Sequence, residues 1–361
     1  MIERNLEGKK EKEFLETLAM AAPGTQLREG LEAIVNGTTG GLLVLGFSDS
    51  IKKFITGGFK VDIDFTPASL YELSKMDGGI ILSHDTKKII YANAHLNPSQ
   101  SIISRETGIR HRTAERIAKQ TGERVIAISQ RRNIITIYHN NLKYPLNDIS
   151  MILTKANQAV ETLEKYKAVL EQNLINLTAL EFEEAVSFQD VVKALQRSEM
   201  VTRIVNEIER YITELGTEGR LVKMQLEELI INVFAEEYLL IKDYYRNTNN
   251  DPQKVKKKIA ALDADELMDM EKICEILGYP KSVNILDEKL TTRGYRILNK
   301  IPRLPMSVIE NVIATYKDLK GIREATVDEL DKVEGIGKVR ANAIKEGMKR
   351  IREQALIDRY I

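Results

Sequence analysis

Two short segments in the first third of the chain carry residue types that could do phosphate chemistry. Asp77-Gly78-Gly79 sets one carboxylate beside two glycines. Such a carboxylate could hold a divalent metal against a phosphate, and the glycines would let that phosphate come close to the backbone. As a bare dipeptide Asp-Gly is also a common turn. Gly108-Ile109-Arg110-His111-Arg112-Thr113 leads into a helical pattern. Two guanidinium forks flanking an imidazole at a helix N-terminus, followed by a hydroxyl, would make a triphosphate clasp. On spacing alone a solvated basic patch is an equal reading. Neither G-x-x-x-x-G-K-[ST] nor G-x-G-x-x-G occurs in this part of the chain. Cys274 is the single cysteine, so an intrachain disulfide and a cysteine-built zinc site are both excluded, and it reads as core filler.

A third segment lies near the end. Val333-Glu334-Gly335-Ile336-Gly337 leads into Lys338, Arg340, Ala341 and Lys345. A helix, a Gly-apolar-Gly turn and a second helix match the helix-hairpin-helix pattern. Gly335 and Gly337 allow a tight turn that can approach a ligand, and the N–H groups behind it favour an anion. Lys338, Arg340 and Lys345 would add cationic contacts, and Ile336 would plug the hairpin. The stretch LNKIPRLPMSVIENVIATYKDLKGI could supply a companion hairpin. Contacts of this kind hold a nucleic-acid backbone without reading bases.

The elements that must position these residues follow from local signals. GLLVLG at 41–46 reads as a buried strand, and Thr66-Pro67 as the cap and first residue of a helix that stops at Asp77. IILS at 80–83 and KIIYANA at 88–94 read as strands, and HRTAERIAKQTG as a helix closed by Gly122. VIAIS at 125–129 and NIITIYH at 133–139 read as a hairpin around Gln130-Arg131-Arg132. From about Asp148 the pattern becomes helical, with Ile152, Ala156, Ala159, Leu163, Tyr166 and Leu170 on one stripe. Asn247-Thr-Asn-Asn-Asp-Pro252 is the main loop signal in that region. Thr326-Val-Asp-Glu329 is a capping box for a helix expected to end at Glu334.

A chain of 361 residues is long enough for two or three domains. Its net charge of zero hides a segregation. Residues 1–146 carry 20 Lys+Arg against 16 Asp+Glu, residues 147–290 carry 18 against 27, and residues 291–361 carry 15 against 10. We therefore read three modules: an N-terminal α/β (α+β) domain with a central mixed sheet over 1–146, an all-α spine over 147–290, and an all-α tail over 291–361. The basic tail suits a polyanion, and the acidic middle does not. No apolar run reaches the roughly 20 residues of a membrane span. MIERNLEGKKEKEF lacks the apolar core of a secretory signal, so a cytoplasmic location is expected.

SKMDGGIILS at 74–83, YANAHL at 91–96 and ETGIRHRTAERIAKQTG at 106–122 resemble, in that order, the diadenylate cyclase domain. With the helical middle and the hairpin tail, the whole chain is similar to the bacterial DNA integrity scanning family. Gly79 stands where the family's signature has Ala, and Ile109 where Thr is common, and neither change removes a charge. The resemblance implies that two ATP are condensed to cyclic di-AMP. It assigns Asp77 to Mg²⁺ or Mn²⁺ and to activating the attacking hydroxyl, and Arg110, His111, Arg112 and Thr113 to the triphosphate. Gly78, Ile109 and Leu96 would line the nucleotide site, with Ser129 near the phosphates. It further implies an octamer with face-to-face cyclase domains, binding to branched or damaged DNA, and a place at the nucleoid. The alternative of a different class is a DNA-binding or repair scaffold whose first domain binds nucleotide without turnover.

Overall fold

The computed structural model describes residues 12–231, 233–246, 251–280 and 285–359. The chain forms two compact units, one of residues up to 158 with 209–224, the other of residues 159–208 with 225–361.

After a helical stretch over residues 12–20, the first unit continues with α1 (Gln26–Asn36), whose cap Thr25 accepts the Arg28 N–H, and then β1 (Gly41–Leu45). A single turn α2 (Asp49–Lys52), β2 (Ile55–Thr56) and β3 (Phe59–Asp64) follow. Then come α3 (Pro67–Ser74), β4 (Gly79–Leu82), β5 (Lys88–Leu96) and α4 (Ile109–Thr121). The strands β6 (Arg124–Ile128), β7 (Ile135–His139) and β8 (Leu142–Pro145) complete one mixed sheet. Its order is β2-β5-β4-β1-β6-β7-β8, with β3 also pairing β5. The β1–β4 pair is parallel and the other pairs are antiparallel.

The unbroken apolar run of β1 is explained by burial on both faces. Leu43 and Leu45 pack with Leu31 and Ile34 of α1 and Leu70 of α3, while Leu42 and Val44 pack with Ala114, Ile117 and Ala118 of α4. Period-two alternation along one strand thus serves two helical layers. Both helices that flank the candidate chemistry have well-defined ends. The Thr66 side chain accepts the Ser69 N–H, Pro67 takes the first helical position, and α3 ends at Ser74, releasing the chain into Asp77. Gly122, in the left-handed region at φ 73°, closes α4, which begins at Ile109 behind the N-cap Gly108.

The helical middle begins with α5 (Ile149–Glu183) and α6 (Phe188–Leu215), followed by α7 (Arg220–Leu229) and α8 (Val233–Tyr244). On α5, Ile152, Ala156, Leu163 and Leu170 are buried, and Ala159 and Tyr166 half-buried. Of the loop signal at 247–252, residues 247–250 lie outside the described residues, and Asp251 caps α9 (Pro252–Ala260). The short helices α10 (Ala264–Met268) and α11 (Met270–Ile276) follow, the second burying Cys274. Burial pushes that thiol up to about 11, which fits filler and not a nucleophile.

The tail contains α12 (Tyr295–Asn299), α13 (Met306–Tyr316), α14 (Leu319–Glu324), α15 (Val327–Leu330) and α16 (Lys338–Asp358) around one apolar core. The capping box at Thr326 is present, but the helix it opens ends at Leu330 and not at Glu334. Turn hydrogen bonds from Val333 to Leu330 and from Ile336 to Val333 take over, which drops both side chains into the core. Among the described residues no helix is long and apolar enough to cross a membrane.

Candidate functional site

The residues singled out in the first unit meet at one end of the sheet. Asp77 lies in the α3–β4 turn with its side chain fully exposed, and its carboxylate meets the Arg110 guanidinium at 3.1 Å. Arg110 crosses in front of Gly40, where a Cβ would come within 2.5 Å of the guanidinium. Leu96, at the end of β5, lies against Gly79, where a Cβ would be 3.1 Å from the leucine methyl. The start of β1, the start of β4, the end of β5 and the N-terminus of α4 therefore converge here. Gly79 is tight against Leu96, so the methyl that alanine would add is one the site fills from elsewhere.

Along Arg110-His111-Arg112 the three side chains do different work. Arg110 reaches Asp77. Arg112 turns back and donates to the carbonyls of Glu106 and Thr107, at 3.3 Å each, bracing the loop ahead of the helix. His111 is half-buried, and its Nδ1 lies 3.0 Å from the Tyr138 hydroxyl. Tyr138 is 1% exposed, and the Glu106 carboxylate lies near enough to act on the same hydroxyl. The Glu106 charge favours a phenolic proton turned towards it, an arrangement in which the oxygen accepts from His111 Nδ1–H. In that tautomer the Nε2 lone pair is the one that Tyr138 does not engage. Burial holds the His111 pKa below its usual value. Burial pushes the Glu106 carboxyl up, but the Lys143 ammonium at 2.5 Å and the Tyr138 hydroxyl outweigh it and hold it low. Burial and the Glu106 charge raise Tyr138 far above the ordinary phenol range.

Ile109 projects into solvent at 82% exposure, and Thr113 is half-buried on the next turn. Ser129 sits in the β6–β7 turn, where its Oγ accepts the Arg132 N–H at 3.3 Å. Gly41 pairs with Ile128 at the end of β6, which puts that turn beside Gly40 and Arg110, and the Arg132 charge helps to hold the His111 pKa low. Reading Arg131 and Arg132 only as turn residues missed this, although two adjacent arginines after a serine are a basic signal. Glu106, Tyr138 and Asn93 were missed as well. Tyr138 and Glu106 had no sequence signal, because a pair 32 positions apart in the chain meets only in the fold.

For a divalent cation the fit rests on the donor set. Among the described residues no group of three or more His, Cys, Asp or Glu side chains gathers as an all-protein cage. One exposed carboxylate beside two glycines remains. That suits a hard cation that keeps waters and takes its other ligands from a nucleotide's phosphates.

In the tail, Gly335 is left-handed at φ 83°, which disfavours any side chain. Gly337 is the N-cap of α16, and a Cβ there would meet nothing within 4 Å, so the backbone is open to a ligand. Ile336 is buried in the core, while Lys338 and Arg340 are exposed. Arg340 donates to the Gly335 carbonyl at 2.6 Å, closing the turn. Lys345 departs from its expected part as a phosphate contact. Its Nζ donates to the carbonyls of Arg323 and Ala325, at 2.5 and 2.7 Å, and so ties the end of α14 to α16. The companion hairpin lies between α12 and α13. Leu298, Ile301 and Leu304 are buried there in the pattern of Leu330, Val333 and Ile336. Arg303 takes the left-handed place of Gly335, at φ 64°. Pro305 takes the N-cap place of Gly337 and has no N–H to offer.

Comparison with known proteins gives three family matches along the chain. The family described as the DisA bacterial checkpoint controller nucleotide-binding region matches residues 28–142. The DisA bacterial checkpoint controller linker region matches residues 146–286, and the helix-hairpin-helix motif residues 318–347. The DNA integrity scanning protein DisA of Carboxydothermus hydrogenoformans is 56% identical over 96% of this chain and 98% of its own. The DisA proteins of Bacillus pumilus and Bacillus subtilis are each 52% identical, over 100% and 98% of both chains respectively. Matches of this identity over nearly the whole length show that the chain belongs to the family of DNA integrity scanning proteins.

Proposed function

We propose that this chain is a diadenylate cyclase that condenses two ATP into cyclic di-AMP with release of two pyrophosphates, and that its tail holds DNA by the backbone. The observation that carries the reading is the meeting of the exposed Asp77 carboxylate with Arg110, at the N-terminus of α4 and beside two glycines, inside the region that matches the nucleotide-binding family. Each 3′-hydroxyl attacks the α-phosphate of the opposite nucleotide, a displacement that needs in-line positioning and neutralisation of charge. Asp77 would hold Mg²⁺ or Mn²⁺ and help take the proton of the attacking hydroxyl. The bound ion would supply neutralisation of the phosphate charge. Arg110 exchanges its carboxylate partner for phosphate oxygens when nucleotide arrives. His111 is held by Tyr138 so that Nε2 faces no competing internal partner, and Arg112 stiffens the loop that carries them. Thr113, Ser129 and the α4 N-terminus would complete the triphosphate cradle, with Gly78, Ile109 and Leu96 around the nucleoside.

The product consists of two identical halves, so two half-sites must face each other, and one chain supplies one half. We infer self-association through this face, to the octamer that the family resemblance implies. In the tail, Gly335, Ile336 and Gly337 present the backbone, and Lys338 and Arg340 the charge, for sequence-independent binding to branched or damaged DNA and association with the nucleoid. The test is to incubate the full-length protein with ATP and Mn²⁺ and to look for cyclic di-AMP by mass spectrometry. Product formation supports the reading. Tight binding of added cyclic di-AMP without turnover would make the chain a receptor instead, and neither result would leave a DNA-binding scaffold.

A further inference from the structure

The Asp77 side chain is fully exposed, and the Arg110 guanidinium is the one partner it meets among the described residues. The backbone that carries it is fixed from the neighbouring strand. Between the pairs Gly79–Ala94 and Ile81–Tyr91, β4 contributes Ile80 alone while β5 contributes Ala92 and Asn93, which makes a β-bulge in β5. Asn93 is left-handed at φ 51°, a conformation that asparagine tolerates better than other side-chain-bearing residues. Its Oδ1 accepts the Gly78 N–H at 3.0 Å. A Cβ on Gly78 would lie 2.4 Å from the Asn93 carbonyl carbon. On the other flank, a Cβ on Gly58 would lie 2.9 Å from the Asn93 carbonyl oxygen. The bulge is thus gripped between two glycines, one of them adjacent to Asp77. An asparagine in the middle of a strand is otherwise a poor choice.

We propose that Asn93 is a positioning residue for Asp77. By accepting the Gly78 N–H it holds the peptide that joins Asp77 to Gly78, and so sets the direction in which the carboxylate leaves the sheet. In this role it would touch neither nucleotide nor metal. The inference rests on the cyclase reading above and is tested by variants that separate backbone from acceptor. Asn93→Gly keeps the left-handed bulge and deletes the acceptor, whereas Asn93→Asp keeps both.

In the full-length protein, Asn93→Gly should lower kcat about 10- to 100-fold and raise the Mn²⁺ concentration for half-maximal rate by a similar factor, the range usual for partners that orient a ligand. KM for ATP should move less than about threefold, because the groups proposed for the triphosphate stay in place. Asn93→Asp should regain most of the loss. Two readouts do not depend on turnover. Amide exchange at Gly78 should speed up in Asn93→Gly and recover in Asn93→Asp, and Mn²⁺ binding with a non-hydrolysable ATP analogue, followed by electron paramagnetic resonance, should weaken and recover in parallel. A wild type that makes no cyclic di-AMP overturns the cyclase reading while these two readouts still decide the role of Asn93. Unchanged Gly78 exchange and Mn²⁺ response in Asn93→Gly would overturn the positioning role, as would equal losses in both variants.

Discussion

Two arginine–carboxylate pairs in this molecule look alike in sequence and differ in everything else. Asp77 and Arg110 meet at 3.1 Å with the carboxylate in open solvent. Glu181 and Arg296 meet with both side chains fully buried, in the other unit. Around the second pair the Tyr244 hydroxyl donates to Glu181 at 2.6 Å. Asp243 accepts the N–H groups of Gly294, Tyr295 and Arg296 at 2.8, 2.6 and 3.0 Å, capping α12. Arg293 beside it donates to the carbonyls of Lys242, Asp243 and Tyr245. This cluster ties α5 and α8 to the first helix of the tail. The contrast teaches what each pair can be for. A buried pair has lost its hydration, so neither partner can leave without stranding the other. An exposed pair is worth little to stability and can be given up when a better ligand for either charge arrives. The first is a joint, and the second has the exposure that the proposed site needs.

The largest effect should come from the joint. Arg296→Met leaves Glu181 and Asp243 buried without their cation and should cost about 3–5 kcal/mol in urea unfolding. Adding Glu181→Leu should recover a good part of that, since replacing both charges is far milder than stranding one. A loss below about 1 kcal/mol for Arg296→Met would mean that the cluster is hydrated and the comparison false.

The same division of labour separates two lysines of the tail. Lys338→Gln should weaken DNA binding and reduce the slope of log K against log salt by about one, as one lost phosphate contact does. Lys345→Gln should leave that slope unchanged and cost about 1–2 kcal/mol of stability, because its ammonium serves two internal carbonyls. Equal salt slopes for the two variants would refute the assignment. The measurement is a salt series of binding isotherms on one branched and one linear duplex.

A smaller effect probes the middle ground, the half-buried His111. Burial lowers the pKa of His111, and of His139, in the folded chain. The unfolded chain therefore takes up protons first as pH falls. The stability these neutral rings contribute is complete above about 6.5 and is lost as pH drops from there towards the folded values. His111→Asn should flatten this decline, read from urea midpoints between pH 7.5 and 5.5. An unaltered decline would place His111 in solvent.

Much of this was legible in the sequence, for reasons that are local. The β1 run, the Thr66-Pro67 cap, the Gly122 stop and the Gly335-Ile336-Gly337 turn are set by residues within a few positions of one another, and each appears in the structure where expected. The approach of Asp77 to Arg110 came into view only through the order of three motifs. The β5 bulge, the Tyr138–His111 contact and the internal use of Lys345 were not legible, since each joins partners 15 to 27 positions apart whose types have commoner uses elsewhere. Asn93 left a trace, as a turn residue inside a strand. The second hairpin was blurred because Arg303 and Pro305 stand in places where the first-recognised hairpin has glycines.

Asp77→Asn is the most direct test of the chemistry proposed for this chain. Cyclic di-AMP formed from ATP and Mn²⁺ would be quantified by mass spectrometry, alongside the thermal midpoint of the same samples. The predicted result is wild-type product, loss of at least about a hundredfold in the variant, and a midpoint within about 2 °C, because an exposed carboxylate contributes chemistry and not stability. Undiminished product from Asp77→Asn would contradict it.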